Sequence, residues 1–268
     1  MAETKRARVN GIELAYRLEG AEGAPAVVLH HPLATNLSFW DEAASALAPR
    51  YRVLRLDARG HGVSEAPKGP YTFETLAGDV TGLMDACGIP KAAFVGLSMG
   101  GMVGQYLGLQ HAARFSCLVL ASTTSRIPPE ARSLWVDRVV VARASGMASQ
   151  VEPAMARWLS AQNRGRPELV ARCRQMIEGT PIDGYAGWCG AIERLDMTDR
   201  LGAITLPTLV IVGADDPATP VAASQVIHDR IPGSSLAVIP GVSHMLAIED
   251  PAAFHAALLP FLDRHAAR

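Results

Sequence analysis

The sequence predicts an α/β architecture: a mostly parallel, eight-stranded sheet with helices on both faces and an inserted helical cap. Three observations predict it. Six short runs rich in Val, Leu and Ile lack polar alternation, as strands buried on both faces do. Helical stretches separate most of these runs, the alternation from which parallel sheets are built. That alternation breaks once, over residues 124–206.

The elements follow in order. "KRARVNGIELAYRLEG" reads as a hairpin with Asn10-Gly11 at its turn, because both positions of such a turn favour positive φ. "AVVLHH", "YRVLRLDA", "AAFVGLS", "CLVLAST", "TLVIVGA" and "SLAVIPG" are the buried strands. Helices are expected over residues 73–87, 100–112 and 222–231. Within the break, "ARSLWVDRVVVARASGM", "VEPAMARWLSAQ", "PELVARCRQMIEG" and "GYAGWCGAIERL" place apolar residues at helical spacing. They define a cap over residues 124–196, inserted into a core formed by residues 1–123 and 197–268. A cap at the carboxyl ends of parallel strands lies where such sheets bind ligands.

Composition narrows the function. The chain has 268 residues, nearly half of them apolar, enough for one large core with an insertion. Its 25 basic and 26 acidic residues leave no electrostatic case for nucleic acid or an anionic membrane. No run approaches the roughly 20 apolar residues that span a bilayer. The segment "MAETKRARVNG" has no apolar stretch behind it and does not read as a secretory signal. Cys87, Cys117, Cys173 and Cys189 show neither metal-ligand spacing nor a paired framework. A reducing, cytoplasmic setting is therefore expected. The expected partner is a small molecule; the sequence does not set the oligomeric state.

The chemistry centres on "AAFVGLSMGG". Ser98 stands between an apolar strand and a helix, with Gly96 and Gly100 on either side. That context fits a nucleophile elbow. A hydroxyl needs a base to take its proton, and an orienting carboxylate to hold that base. With the order Ser, acid, His, His244 in "PGVSHMLAIEDP" has both the right order and a strand-end position. The acid should follow "TLVIVG", where "GADDPATP" offers Asp215 and Asp216. The spacing from Gly213 to Pro220 favours Asp216, with Asp215 as a solvated neighbour or helix cap. An oxyanion hole needs two backbone N–H donors. Met99 supplies one; Leu33 supplies the other, because Pro32 has no N–H. His30 and His31 are adjacent on a strand and point to opposite faces, so they do not converge on a metal. No metal or organic cofactor is expected.

"DARGHGVSEAP", "VGLSMGG", "GADDPATP" and "GVSHMLAIEDP" resemble the signature segments of the α/β-hydrolase superfamily, in order and nearly end to end. "GLSMGG", "SLWVDRVVVARASGM", "DGYAGWCGAIERLD" and "GADDPATP" are further similar to bacterial 3-oxoadipate enol-lactonases. The resemblance implies a serine hydrolase that opens a carboxylated enol-lactone through an acyl-enzyme. A carboxylesterase or perhydrolase-type relative acting on small esters is the alternative. Two segments depart from the lactonase pattern. "HHPLATN" stands where an Asn-Ser-Leu-Gly type of loop is typical, and Trp188 where a smaller polar residue is common. His31 and Trp188 are accordingly placed among the substrate contacts, although a packed strand end is the other reading of His31. A substrate carboxylate also calls for a cation, preferably a planar guanidinium. Trp135 and Arg138, at i and i+3 on one cap helix, are the expected contacts. Arg143 and Arg157 are next in line.

Overall fold

The structure, a computed structural model, describes residues 2–267. Strands β1 (Lys5–Val9), β2 (Ile12–Glu19), β3 (Ala26–His30), β4 (Arg52–Leu56), β5 (Ala92–Leu97), β6 (Phe115–Ala121), β7 (Thr208–Gly213) and β8 (Ser235–Ile239) form one sheet. Their order is β1-β2-β4-β3-β5-β6-β7-β8. β1 pairs antiparallel with β2, and β2 with β4. Every pairing from β4 to β8 is parallel. The opening hairpin turns at Asn10 and Gly11, both with positive φ, as the Asn-Gly pair predicts.

Alternate residues of the central strands feed two separate apolar layers. Val27, Leu29, Val95 and Val119 face one layer with Trp40 and Phe254. Val28, Phe94, Leu118 and Leu120 face the other with Leu83 and Val103. Burial on both faces explains why these strands read as unbroken apolar runs. The helices outside the insertion supply the two coverings. They are α1 (Asp41–Leu47), α2 (Phe73–Ala86), α3 (Met99–Gln110) and three later helices given below.

Between β6 and β7 lie α4 (Ser133–Ser145), α5 (Val151–Trp158), α6 (Pro167–Glu178) and α7 (Ile182–Glu193). Beyond them come α8 (Val221–Arg230), α9 (Leu246–Glu249) and α10 (Pro251–His265). Helix ends differ from the sequence expectation by at most two residues, the range over which helix termini fray. The two chain crossings into the α4–α7 segment are zipped together. Met197 N donates to Ser125 O at 2.8 Å and Ile127 N to Leu195 O at 3.0 Å. Arg126 pairs with Asp196 at 2.6 Å and Asp199 at 2.8 Å. α7 rests directly on core backbone: a Cβ on Gly184 would lie 1.9 Å from Gly60 O. Tyr71 N donates to Gly187 O at 3.2 Å. α4 packs on α7 but leaves Val136, Val140 and Val141 exposed.

Candidate active site

The elbow at Ser98 is built by close backbone approach. A Cβ on Gly96 would sit 2.2 Å from Gly100 O, and one on Gly100 would sit 2.2 Å from His30 O. Only glycine lets β5, α3 and β3 meet this tightly. Ser98 itself has φ 55 and ψ −112, a conformation that costs on the order of 1–3 kcal/mol for a non-glycine residue. Its own backbone bonds hold it there. Ser98 N donates to Ala121 O at 2.8 Å, and Ser98 O accepts from Thr123 Oγ1 at 2.8 Å and Met102 N at 3.0 Å. The Ser98 side chain makes no capping bond to α3, which leaves Oγ for other work.

Oγ meets His244. The Nε2 to Oγ distance is 2.9 Å, and Nδ1 lies 2.9 Å from Asp216 Oδ2. Asp216 Oδ1 accepts from the Ala218 and Thr219 amides at 2.8 and 2.9 Å. Thr219 Oγ1 donates to Oδ2 at 2.8 Å. Burial alone would push the Asp216 carboxyl up. Electrostatic attraction to His244, with the hydrogen bonds from His244 and Thr219, outweighs burial and holds the carboxyl below its ordinary range. An ionised Asp216 accepts the Nδ1 proton and leaves Nε2 as an acceptor for the Ser98 hydroxyl. Asp215 is exposed and does not join this chain of bonds.

Leu33 lines the cavity that holds Ser98, and Met99 directly follows Ser98 in the chain. Met99 opens α3, where the first N–H groups lack helical acceptors. Neither the Leu33 nor the Met99 amide has an acceptor among the described residues. The Leu33 loop is braced from behind: Ala34 N donates to His61 Nε2 at 3.0 Å, and Thr35 Oγ1 to Pro32 O at 2.8 Å.

A cavity of about 410 Å³ opens over Ser98 and His244. Its walls come from the Leu33 loop, the segment following Asp216 and the α4–α7 region. Trp135 and Arg138 line it, with the Arg138 guanidinium carbon 4.4 Å from the centre of the Trp135 ring. Arg157 lines it too. Burial, and then the charge of Arg138, lower the Arg157 pKa to about 10. Neither Arg138 nor Arg157 has a carboxylate partner among the described residues. Arg143 instead pairs with Asp183 at 2.9 Å.

Two expected contacts lie elsewhere. His31 is fully buried and outside the cavity wall. Its Nε2 accepts from Ala58 N at 3.0 Å and its Nδ1 bonds Pro32 O at 2.8 Å, so the ring staples two loops. Trp188 is also fully buried and outside the cavity. Its Nε1 donates to Arg59 O at 2.8 Å, and its ring meets His30, His61 and Tyr71 edge to face. Both side chains have spent their polar atoms on backbone. Among the described residues, no group of three or more His, Cys, Asp and Glu side chains is placed to hold a metal ion. No helix among them is long and apolar enough to cross a membrane.

A family model described as the alpha/beta hydrolase fold matches residues 25–251. The chain belongs to that family. This hydrolase is 35% identical over 254 residues to a 3-oxoadipate enol-lactonase of Acinetobacter baylyi, covering 94% of each chain. It is 41% identical to the crystal structure of an enol-lactonase from Burkholderia xenovorans, with a TM-score of 0.93, covering 97% of this chain and 100% of that one. A thermophilic esterase from Thermogutta terrifontis, solved with malate bound, is 31% identical with a TM-score of 0.91, covering 98% and 99%.

In this hydrolase, sequence reasoning had no firm signal for Arg157, Gln150 or Tyr185, which share the cavity wall. Tyr185 Oη donates to Gln150 Oε1 at 3.2 Å, a pairing between distant segments. Thr219 was more accessible: a Thr three residues after an Asp is a local turn partner.

Proposed function

We propose that this hydrolase opens a carboxylated enol-lactone through an acyl-enzyme on Ser98. The observation that carries the proposal is the pair Arg138 and Arg157. Two guanidinium groups without carboxylate partners among the described residues line the cavity that holds Ser98 and His244. The wall is largely apolar, with Leu33, Met102, Ile127, Trp158 and Ile192, and its third arginine, Arg126, is paired with Asp196 and Asp199; two further cations without such partners suit an anionic ligand. Likeness to the two enol-lactonases supports the same substrate class.

Ser98 Oγ attacks the lactone carbonyl carbon as His244 Nε2 takes its proton. Asp216 keeps the imidazole in the required tautomer and stabilises its cation. The Leu33 and Met99 amides bond the developing oxyanion; one such donor is worth about 2.7–4 kcal/mol. Collapse breaks the ring C–O bond and expels an enolate. It takes a proton from His244 and tautomerises to the ketone. Water, deprotonated by His244, then attacks the acyl-enzyme, releasing a second carboxylate and regenerating Ser98. Residues 124–196 act as the cap that excludes water and supplies the arginines.

A small-ester esterase is the second reading, favoured by the apolar walls and the likeness to the thermophilic esterase. Hydrolysis of a carboxylated enol-lactone and a neutral aryl ester of similar size separates the two, with Ser98→Ala as the blank. The lactonase reading expects kcat/KM for the lactone to exceed that for the ester at least tenfold, the scale of one charge-assisted contact, about 1.5–3 kcal/mol. Equal or reversed values favour the esterase.

A further inference from the structure

His244 is held from both sides by the end of α5. Ser243 Oγ donates to Arg157 O at 3.4 Å, and Met245 N donates to Trp158 O at 3.0 Å. The side chains of Arg157 and Trp158 line the cavity. Behind this contact lies Glu249, the last residue of α9, which is buried. Its Oε1 accepts from Ser243 N at 2.8 Å. Its Oε2 accepts from Ser160 N at 2.8 Å and Asn163 Nδ2 at 2.8 Å. Its carbonyl accepts from Arg166 Nη1 at 3.0 Å. Glu249 has no ion pair among the described residues.

A buried carboxylate is costly, and three N–H donors only offset that cost. An apolar side chain would avoid it but leave the Ser243 and Ser160 amides and Asn163 Nδ2 without acceptors; a neutral acceptor could take these bonds without a buried charge. What the carboxylate adds is geometry. One oxygen fixes the loop that carries His244; the other fixes the turn that follows Arg157 and Trp158. These two pieces of chain are more than 80 residues apart, and the rigid carboxylate sets the distance between them. We propose that Glu249 is a positioning residue that keeps His244 in register with Arg157. Seating the substrate carboxylate and presenting its carbonyl to Ser98 then become one event. The proposal rests on the acyl-transfer reading above.

Glu249→Gln tests it. An amide has a single acceptor oxygen, so Gln can serve one side only and turns its NH2 on donors at the other. The readouts are kcat and KM for the carboxylated lactone and for the neutral aryl ester, with the melting temperature beside them. On the ester, kcat should fall about tenfold with KM nearly unchanged, because only the base is displaced. On the lactone, kcat/KM should fall about a hundredfold, because base and cation lose register together. Asn163→Ala removes one bond on the cap side alone. It should leave ester kcat intact and lower lactone kcat/KM about fivefold; it also serves if the Gln variant does not fold. Unchanged ester kcat in Glu249→Gln, equal losses on both substrates, or an unchanged lactone value in Asn163→Ala would overturn the proposal. If the native protein shows no preference for the lactone, the substrate reading fails, while ester kcat in Glu249→Gln still decides the role of Glu249.

Discussion

The guanidinium of Arg138 lies over the Trp135 ring, its carbon 4.4 Å from the ring centre, and both residues line the cavity above Ser98. Such stacking is worth about 0.5–2 kcal/mol, depending on desolvation. It fixes where the cation stands without neutralising it. Arg138→Ala should lower kcat/KM for a carboxylated lactone about ten- to a hundredfold, while a neutral ester of similar size is nearly unaffected. Arg138→Lys should recover part of the loss, since an ammonium cannot reproduce the planar fork. Arg157→Ala should show the same selectivity between substrates. Equal losses on lactone and ester would make these arginines supports of the cap.

Asp216→Asn gives a prediction about tautomers. Asp216 Oδ1 accepts two backbone amides, so the amide oxygen of Asn takes that place. The NH2 then faces His244 Nδ1, which must become an acceptor. The imidazole proton moves to Nε2, and the base for Ser98 is gone. We expect kcat to fall by about 10³–10⁴, the scale of the equivalent change in a serine protease. The fold should persist by circular dichroism. Combining Asp216→Asn with Ser98→Ala should add little to the loss from Ser98→Ala alone, because the residues act as one unit. Multiplicative losses would argue against a single catalytic unit.

Three buried histidines predict a stability profile. Burial lowers the pKa of His30 to about 4 and of His61 to about 3. It also lowers His31 well below the ordinary imidazole value, aided by the neighbouring His61 and His30. Above the unfolded value of about 6.5 these rings are neutral in both states, and their contribution to stability is complete. As pH falls below that value the unfolded chain takes up protons that the folded chain refuses. Stability therefore drops from about pH 6.5 toward pH 4, by up to ~1.4 kcal/mol per pH unit for each ring. The lowered carboxyl of Asp216 acts in a lower window: its contribution holds above the unfolded value of about 3.9 and is lost as pH falls through the folded pKa. Urea unfolding at pH 7 and pH 5 measures the histidine effect, and coincident midpoints would contradict it.

The legible parts of this protein are those whose cause is local. Asn10-Gly11 sets its own turn, and β3, β5, β6 and β7 are apolar along their length because both faces are covered; β8, expected to be buried, lies at the sheet edge and is largely uncovered. Ser98, Asp216 and His244 each sit in a short segment at a strand end, so their meeting could be anticipated from order alone. Trp188 was not legible, and of the two readings of His31 the packed strand end is the one the fold bears out. Their partners are the Ala58 amide and the Arg59 carbonyl, 27 and 129 residues away, and nothing near either residue signals that its polar atoms are satisfied. The same applies to choosing among cap arginines. Arg143 is occupied by Asp183, 40 residues distant, whereas Arg157 has no carboxylate partner among the described residues. Charge alone does not separate them; the fold does.

The backbone contact between Gly60 and Gly184 divides the labour of adaptation within the insertion. α7 meets the core with no side-chain slack, so mutation there is penalised before it can alter what the cavity accepts. α4 packs on α7 and turns Leu134, Trp135 and Arg138 toward the ligand space while its outer face is open to solvent. New specificity can therefore be selected on α4 over a foundation that stays fixed. A library randomised at Leu134, Trp135 and Arg138 samples new substrates at little cost to folding, and one aimed at Gly184 or Gly187 samples mostly misfolded chains.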